Sequence, residues 1–402
     1  MEKLRTKRAI EKVDYTFVPV PPRATSAKSS GVAGDRRPNP HGFIDNNSIS
    51  GWVDIKIEAK TRLLLSDIRY GEKENIRTVR TTGDGKTPYL LASSFKGAIR
   101  SAYETITNSR LSNLGLNVVD SEDAEKVTID HEELFSSGGL GAHLPASSID
   151  ELSAADRVFG WVHKDAGKAE GATAYRGQLA FSVPQVNLKH RAKGDKDPIA
   201  VHNPPISLPA LGNAHTEIEE FYMRERANGV QCPNGRKFYI PWRDHRNEEG
   251  PNNDEYLKID SYVRPGTMFT VRVYMENVDR GDAAALLWLL DLSRHRTTHG
   301  HSNKPTPLLG LGYAKPLSYG FVEVSIDGSC VLDKRQMMER YTRLASTVPS
   351  QDLTQELITE FQNLSDPAIQ RVREDFLNIC TSDKKKLNQE ERKVEFDRDA
   401  KH

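Results

Sequence analysis

The chain has 402 residues, long enough for a sizeable buried core, and length alone predicts roughly two to three domains. Lys plus Arg and Asp plus Glu number 56 each, so the formal net charge is 0 and no overall field draws in nucleic acid. Three isolated cysteines exclude a disulfide framework and a four-cysteine zinc site, and they favour a reducing compartment. No apolar run reaches ~18 residues and Met1–Val13 is too charged for a signal peptide, so we expect a cytoplasmic protein with no membrane partner.

The first elements follow an extension rich in Pro, Arg and Ser, which we assign to residues 1–50, with Tyr15–Pro21 as its docking part. Alternating apolar residues predict a first strand over Gly51–Leu65, followed by a polar loop from Ser66 to Lys86. Two further strands and a buried helix are predicted over Leu179–Val186, Thr267–Met275 and Ala283–Leu292.

This order of elements gives two βαβ-like halves and predicts an α+β fold with a ferredoxin-like (RRM-like) core. In such folds the sheet often carries RNA. We place the core at residues 51–330, with an insertion at about 187–260 that lies over the sheet or reaches a partner. Residues 331–402 are expected to form a helical, partly disordered C-terminal tail. Its amphipathic helices are predicted over Leu332–Leu344, Leu353–Leu364 and Pro367–Ile379.

A first candidate binding site is the start of the helix that reads SSFKGAIR from Ser93. The hydroxyls of Ser93 and Ser94 suit an N-cap. Lys96 and Arg100 are four residues apart near the end of the helix where the dipole and free N–H groups favour anions. A glycine in this helix costs about 1 kcal/mol relative to alanine, so we expect a close approach at Gly97. Two solvated bases on an amphipathic helix are the alternative.

A glycine-rich loop reads LLGLGYAKPLSYGFVEV over residues 308–324 and leads into a strand. Glycine has no Cβ to hold a ligand away, so Gly310 and Gly312 would let an anion approach the backbone. Lys315 supplies charge, and Ser318 and Tyr319 supply hydroxyl donors. The alternative is a tight turn or bulge before the strand.

Three more segments lie between the serine-rich helix start and the glycine-rich loop, and all five occur along the chain in the order seen in a known family. They are Asp156–Gly160 (DRVFG), Tyr175–Ser182 (YRGQLAFS) and Gly235–Trp242 (GRKFYIPW). In this order, over about Tyr15 to Ser325, the chain resembles the CRISPR-associated RAMP superfamily. Tyr15–Pro21 and Tyr313–Gly320 are similar to the larger RAMP subfamily found with type III loci.

The resemblance implies a subunit of a type III-like effector complex that holds guide RNA and complementary target RNA in antiviral defence. Other RAMP and effector subunits are the expected partners. Tyr239 and Trp242, beside two basic residues, would offer a surface on which a base stacks. The expected RNA-binding residues are Ser93, Ser94, Lys96, Arg100, Arg176, Arg236, Lys237, Gly310, Gly312, Lys315, Ser318 and Tyr319.

Cleavage of target RNA is a further implication, because some members cut with one loop aspartate between the first strand and the serine-rich helix. Asp67 and Asp84 are the candidates here, and solvated loop carboxylates are the alternative. Such cleavage would bring in a divalent cation, whereas binding needs no cofactor. Two other functions stay open: a guide-RNA-processing endoribonuclease using His41, His163 or His295, and a purely structural subunit.

A metal site is considered for the histidines after the buried helix. His295 and His299 have helical i, i+4 spacing, and His301 follows closely. No acidic residue completes a ligand set nearby, so we expect an exposed basic helix end and no metal.

Overall fold

The long strands alternate buried apolar residues with more exposed polar ones, which is the pattern of a sheet covered on one face. In the computed structural model, Val53, Ile55 and Ile57 are fully buried, whereas Asp54 and Lys56 between them are not. The structure describes residues 15–23, 32, 34–68, 76–112, 136, 139–163, 173–187, 197–208, 223–225, 231–241, 257–295, 305–343 and 352–382.

The strands are β1 (Tyr15–Val18), β2 (Ser48–Ala59), β3 (Ser66–Ile68), β4 (Ile76–Val79), β5 (Gly160–Val162), β6 (Ala174–Arg176), β7 (Leu179–Phe181), β8 (Gln185–Val186), β9 (Ile199–Leu208), β10 (Met223–Glu225), β11 (Gln231–Pro233), β12 (Arg236–Tyr239), β13 (Leu257–Val263), β14 (Met268–Asp279), β15 (Leu309–Gly310) and β16 (Phe321–Asp333). The helices are α1 (Ala92–Ile106), α2 (Ala154–Phe159), α3 (Arg280–Leu290), α4 (Lys334–Arg343), α5 (Thr354–Gln362) and α6 (Pro367–Thr381). None of the helices in these ranges is long and apolar enough to cross a membrane.

The main sheet has the strand order β16–β2–β14–β7, in which every neighbouring pair is antiparallel. Helix α1 lies in the chain between β2 and β7, and α3 lies between β14 and β16. Numbered along the chain as a βαββαβ unit, this is the order 4-1-3-2 of a ferredoxin-like core. The predicted α+β ferredoxin-like fold is therefore confirmed. Two short pieces extend it, since β15 pairs with β16 and β8 pairs with β14.

Helices α1 and α3 are packed together on the covered side of this sheet. The predicted inward face of α1 is confirmed, because Phe95, Ile99 and Ala102 are all fully buried. Helix α3 is buried along its whole apolar stretch, as its composition predicts, because α5 lies against it as well. Its Trp288 donates from Nε1 to Oε1 of Gln362 at 2.6 Å.

A second sheet, β3–β4–β13–β9, continues from the end of β2. The predicted strand Gly51–Leu65 is wrong in its second half: β2 ends at Ala59, and Leu63 forms a bridge to Val263. The predicted loop from Ser66 to Lys86 is also wrong in part, because it contains β3 and β4. Both strands are short, which left no periodic signal. Strands β9 and β13 come largely from the expected insertion and pair with each other.

The N-terminal extension contributes a strand that pairs far along the chain. Strand β1 forms a two-stranded antiparallel ribbon with β12, in which Tyr15 faces Tyr239 and Phe17 faces Lys237. Val18 is fully buried in the main core, and Phe238 packs against that core. The ribbon therefore has one face on the core and the other face formed by Tyr15, Phe17, Lys237 and Tyr239.

The predicted C-terminal helices are confirmed within a few residues at each end as α4, α5 and α6. Helix α6 packs on α1 and on β1. Phe376 on α6 meets Phe238 on β12 edge-on, with 5.2 Å between ring centroids. The last helix thus holds the ribbon against the start of α1, where the candidate site lies.

Candidate nucleic-acid interface

A cleft of about 450 Å³ opens where four segments meet: the start of α1, the end of β12, the glycine-rich loop and the end of α6. Its described lining residues are Ser94, Ala98, Ser101, Lys237, Phe238, Tyr239, Leu308, Leu309, Gly310, Leu311, Gly312, Lys315, Ile379 and Cys380. The structure thereby brings together five residues that the sequence predicted as RNA-binding. These are Ser94, Lys237, Gly310, Gly312 and Lys315.

Lys315 enters the cleft from a short turn, Lys315–Leu317, set between two left-handed residues, Ala314 and Ser318. Its Nζ donates to the carbonyl oxygen of Gly312 at 2.7 Å. A Cβ on Gly310 would lie 2.9 Å from Cδ of Lys315, so this glycine leaves room for the lysine chain. Burial lowers the pKa of Lys315 below its ordinary value.

Lys237 approaches from β12 on the outer face of the ribbon. Its Nζ lies 3.6 Å from the ring centroid of Tyr15 and 5.3 Å from that of Tyr239. Nζ of Lys315 lies 5.8 Å from the centroid of Tyr239, so two ammonium groups lie near one ring. Burial lowers the pKa of Lys237 as well.

Two glycines of the loop serve the chain's own backbone. Gly312 has φ +90° and a Cβ there would lie 2.7 Å from the carbonyl oxygen of Leu64. Gly320 has φ +76° and a Cβ there would lie 2.1 Å from the carbonyl oxygen of Leu311. At both positions glycine is required by the chain's own neighbouring backbone, and Gly312 also lines the cleft, so its role in the approach of an anion stays a prediction.

The start of α1 differs from the expected capped helix. The helix begins at Ala92, its N-cap is Leu91, and no side chain caps it, so the prediction of an N-cap at Ser93 or Ser94 is wrong. Both serines lie in the first turn and are exposed, and Ser94 lines the cleft. The Cβ position of Gly97 has no heavy atom within 4 Å, so that residue faces open space.

Lys96 and Arg100, which the sequence placed together, differ in their surroundings. Burial and the neighbouring Arg100 lower the pKa of Lys96, which is half-buried. Arg100 donates from Nε to Glu104 at 3.0 Å and from Nη1 to the carbonyl oxygen of Gly160 at 3.1 Å. Its Nη2 also reaches Asp156 at 3.5 Å. We therefore assign Arg100 mainly to holding α1 against α2.

Arg236 has a similar internal role. It reaches across from β12 to Glu104, with 3.3 Å between Nη1 and Oε2, and it also donates to the carbonyl oxygen of Ser109. Burial lowers the pKa of this guanidinium. The alternation along β12 explains the difference from its neighbour, since Arg236 points to the core side and Lys237 to the outer side.

Three other predicted residues lie away from the described lining of the cleft. Ser318 and Tyr319 are buried behind it, and the hydroxyl of Tyr319 accepts from Nη1 of Arg62 at 3.3 Å. Arg176 is exposed on β6 and pairs with Glu276 at 3.5 Å.

Asp84, one of the two aspartates named for catalysis, also lies outside that lining. Asp84 is exposed, and its carboxylate accepts four hydrogen bonds, from both the backbone and the hydroxyl of Thr87, from the backbone of Lys86 and from the hydroxyl of Thr82. These bonds hold the pKa of Asp84 well below its ordinary value. Asp67 is in β3, where its backbone pairs with Thr78. Their catalytic role stays a prediction.

The histidines considered for other chemistry each contact an aromatic ring. His41 stacks on Tyr175 with 4.8 Å between centroids, and His163 meets Trp161 edge-on. His295 stacks on Trp288 at 4.3 Å, and its Nε2 lies 2.7 Å from the carbonyl oxygen of that residue. Burial lowers the pKa of His295 to about 4. His299, His301 and Trp242 lie outside the described residues. Within those residues no group of His, Cys, Asp and Glu could hold a metal ion.

The apolar side of the cleft was missed by the sequence interpretation. It is formed by residues from the ribbon, from β15 and its flanks, and from the end of α6, namely Phe238, Leu308, Leu309, Leu311, Ile379 and Cys380. Arg236–Tyr239 reads RKFY, two basic residues followed by two aromatic ones, so no alternation indicates which face of this strand is inward. No local pattern indicates that Ile379 reaches the same cleft.

A family model described as the RAMP superfamily matches residues 56–323. A comparison with curated proteins gave no match. Among solved structures, a chain of a Type IV-B CRISPR complex is 15% identical, with a TM-score of 0.28, and the match covers 79% of this chain and 99% of that one. A chain of the Type III-B Cmr-beta complex bound to cognate target RNA is 14% identical, with a TM-score of 0.30 and coverage of 71% and 61%. Thermofilum pendens Csc2 is 12% identical, with a TM-score of 0.31 and coverage of 86% and 90%.

Proposed function

Because this chain belongs to the RAMP superfamily, we propose that it is an RNA-binding subunit of a CRISPR effector complex. The cleft beside α1 is where it holds the RNA backbone. The ligands are guide RNA and its complementary target RNA, and neighbouring effector subunits are the protein partners.

The observation that carries this proposal is the uncompensated charge of Lys237 and Lys315. Burial lowers the pKa of both lysines, and neither makes an ion pair within the described part of the chain. Both side chains are partly buried, and a partly desolvated cation without a counter-charge is unfavourable, so the free protein keeps this arrangement at some cost. A phosphate group in the cleft supplies the missing negative charge.

The open face of the main sheet has the opposite character, although sheets of this fold often carry RNA. There Lys56 pairs with Asp327, and Lys60 lies 2.9 Å from Glu58 and 2.8 Å from Glu323. Every one of these lysines already has a carboxylate partner. Phosphates gain little at such a face, which favours the cleft as the RNA-binding surface.

The test is RNA binding by a variant with both Lys237→Gln and Lys315→Gln. Affinity for a short single-stranded RNA of mixed sequence is measured as a function of salt concentration. Each lost phosphate contact lowers the salt slope by about 0.7, so we expect a slope smaller by roughly 1.4 and weaker binding of every sequence.

The matched control is Lys56→Gln with Lys60→Gln on the open sheet face, which removes the same charge. We expect it to leave the slope nearly unchanged, because those lysines are already paired. Equal losses in the two double variants would mean that overall charge, and not the cleft, determines binding.

A further inference from the structure

We propose that the cleft takes one unstacked nucleotide of the RNA, with its base inside, rather than a stretch of backbone alone. This inference rests on the proposed RNA-binding function. It adds the chemical form of the ligand: a nucleobase on one side of the cleft and its phosphate on the other. The lining of the cleft, its size and the position of one tyrosine support it.

The lining has two chemically different sides. Lys237, Lys315 and the hydroxyl-bearing residues Ser94 and Ser101 supply the polar side. Most of the remaining lining is apolar, contributed by Phe238, by leucines 308, 309 and 311 and by Ile379. The leucines and Ile379 are buried and form the floor of the cleft, whereas Phe238 and Tyr239 are partly exposed and are the apolar surface that a ligand could still cover. A nucleotide has both parts, an anionic phosphate and a flat, weakly hydrated base.

The apolar wall is also fixed in place by the surrounding structure. The backbone N–H of Leu308 donates to the carbonyl oxygen of Cys380 at 3.0 Å, which ties the glycine-rich loop to the end of α6. Phe238 is held from behind by Phe376. A preformed wall of this kind does not have to be ordered when the ligand binds.

Tyr239 lies where the two sides meet. Its ring lines the cleft near two ammonium groups, with its centroid 5.3 Å from Nζ of Lys237 and 5.8 Å from Nζ of Lys315. A base placed against this ring stacks on an aromatic surface while its phosphate remains within reach of the lysines. Every base has such a face, so the arrangement tolerates any sequence.

The volume agrees with one nucleotide. Sites for small organic ligands measure roughly 300–1,000 Å³, and the cleft, at about 450 Å³, is near the lower end of that range. It is larger than a phosphate alone requires and too small for a run of stacked bases. The RNA strand would therefore pass the cleft with a single base turned into it.

The experiment compares two ligands of equal charge: a short single-stranded RNA and the same ribose-phosphate chain without bases. We expect the intact protein to bind the RNA about tenfold more tightly than the abasic chain. Tyr239→Leu should remove most of this preference by weakening RNA binding alone, whereas Tyr239→Phe keeps the ring and should retain it. Equal affinity of the intact protein for the two ligands would overturn the proposal.

A second variant covers the case in which Tyr239→Leu fails to fold, since Tyr239 pairs with Tyr15. Ala98→Leu fills the cleft from α1 with a residue of good helix propensity and changes no charge. It should weaken RNA binding about tenfold and leave the abasic chain unaffected. Loss of affinity for both ligands alike would overturn the base-binding role.

RNA binding by the cleft and base binding within it have different experimental outcomes. If Lys237→Gln with Lys315→Gln changes neither ligand's affinity, the proposed RNA-binding function of the cleft is wrong. If that double variant weakens both ligands equally but the base preference is missing, only the nucleotide pocket is wrong. Adenosine monophosphate is measured as a third ligand. If it bound as tightly as the RNA, the cleft would be a free-nucleotide site and the assignment to RNA would be overturned.

Discussion

The guanidinium of Arg157 and the carboxylate of Asp282 form a two-pronged ion pair, with 2.7 Å from Nε to Oδ2 and 2.8 Å from Nη2 to Oδ1. Both side chains are almost completely removed from solvent. The pair joins α2 to the first turn of α3, and Arg157 also donates to the carbonyl oxygens of Gly34 and Leu152. The DRVFG segment thus holds the packing of the helices together and does not contact RNA through its arginine.

Arg157→Leu should therefore destabilise the protein by about 3–5 kcal/mol, because the carboxylate of Asp282 stays buried without its partner. Adding Asp282→Leu should restore part of this loss, since the second change removes the unpaired charge. The free energy of unfolding in urea measures both effects. A double variant as unstable as the sum of the two single variants would show that the pair is not coupled.

Gly312 and Gly97 should respond in opposite directions to alanine. Gly312→Ala places a Cβ 2.7 Å from backbone at φ +90°, so we expect a loss of about 1–3 kcal/mol in unfolding free energy. Gly97→Ala meets no heavy atom within 4 Å and lies inside a helix, so a gain of about 0.5–1 kcal/mol is expected. Thermal unfolding of the two variants measures this contrast, and a destabilised Gly97→Ala protein would contradict it.

Substitutions of Lys96 and Arg100 should have different effects on RNA binding and on stability. Lys96→Gln should lower the salt slope of RNA binding with little change in stability. Arg100→Gln should cost about 1–3 kcal/mol of stability, because Glu104 and Asp156 lose a charged donor. Parallel binding and unfolding measurements separate the two roles. If the Arg100→Gln protein had unchanged stability but bound RNA more weakly, Arg100 would be assigned to phosphate binding instead.

Stability should fall in mild acid through His295. Its pKa is lowered to about 4 in the folded state from 6.5, so the unfolded chain binds more protons between these values. The contribution is complete above about pH 6.5 and is lost as the pH falls through about 4. His295→Phe keeps a ring on Trp288 without the titration, so its unfolding free energy should change less between about pH 7 and pH 5. Identical pH profiles would contradict this.

Cleavage assays of the assembled complex can distinguish the roles of the two candidate aspartates. Asp84→Asn should leave target-RNA cleavage unchanged, because the carboxylate is engaged by four donors of its own turn. Asp67→Ala is the variant expected to abolish cleavage if this subunit cuts. Unchanged cleavage by both variants would leave the chain a binding subunit.

The core of the fold could be predicted from sequence because its signals are local. The alternation around Ile55 and the spacing of Phe95, Ile99 and Ala102 each follow from one element meeting one core. The boundary of β2 could not be predicted, since Leu63 continues the apolar run but pairs with Val263, some 200 residues later. Local pattern carries no information about such a partner.

The site was predictable only in part for the same reason. Charge and glycine content indicated Lys315, Gly310 and the start of α1, and these do meet in the cleft. They did not indicate that Arg236 points inward and Lys237 outward, because that depends on which face of β12 meets the core. The glycine requirement was recognised, whereas its cause, the backbone of Leu64 and Leu311, is a tertiary contact.

The cleft draws its walls from residues as distant as Ser94 and Cys380, and this sets the moment at which it comes into existence. Chains are synthesised at about 5–20 residues per second, so roughly 15–60 s separate the appearance of the first wall from that of the last. A nascent chain still lacking α6 has no complete cleft. On the proposed function, the subunit would therefore take up RNA only after its synthesis is complete.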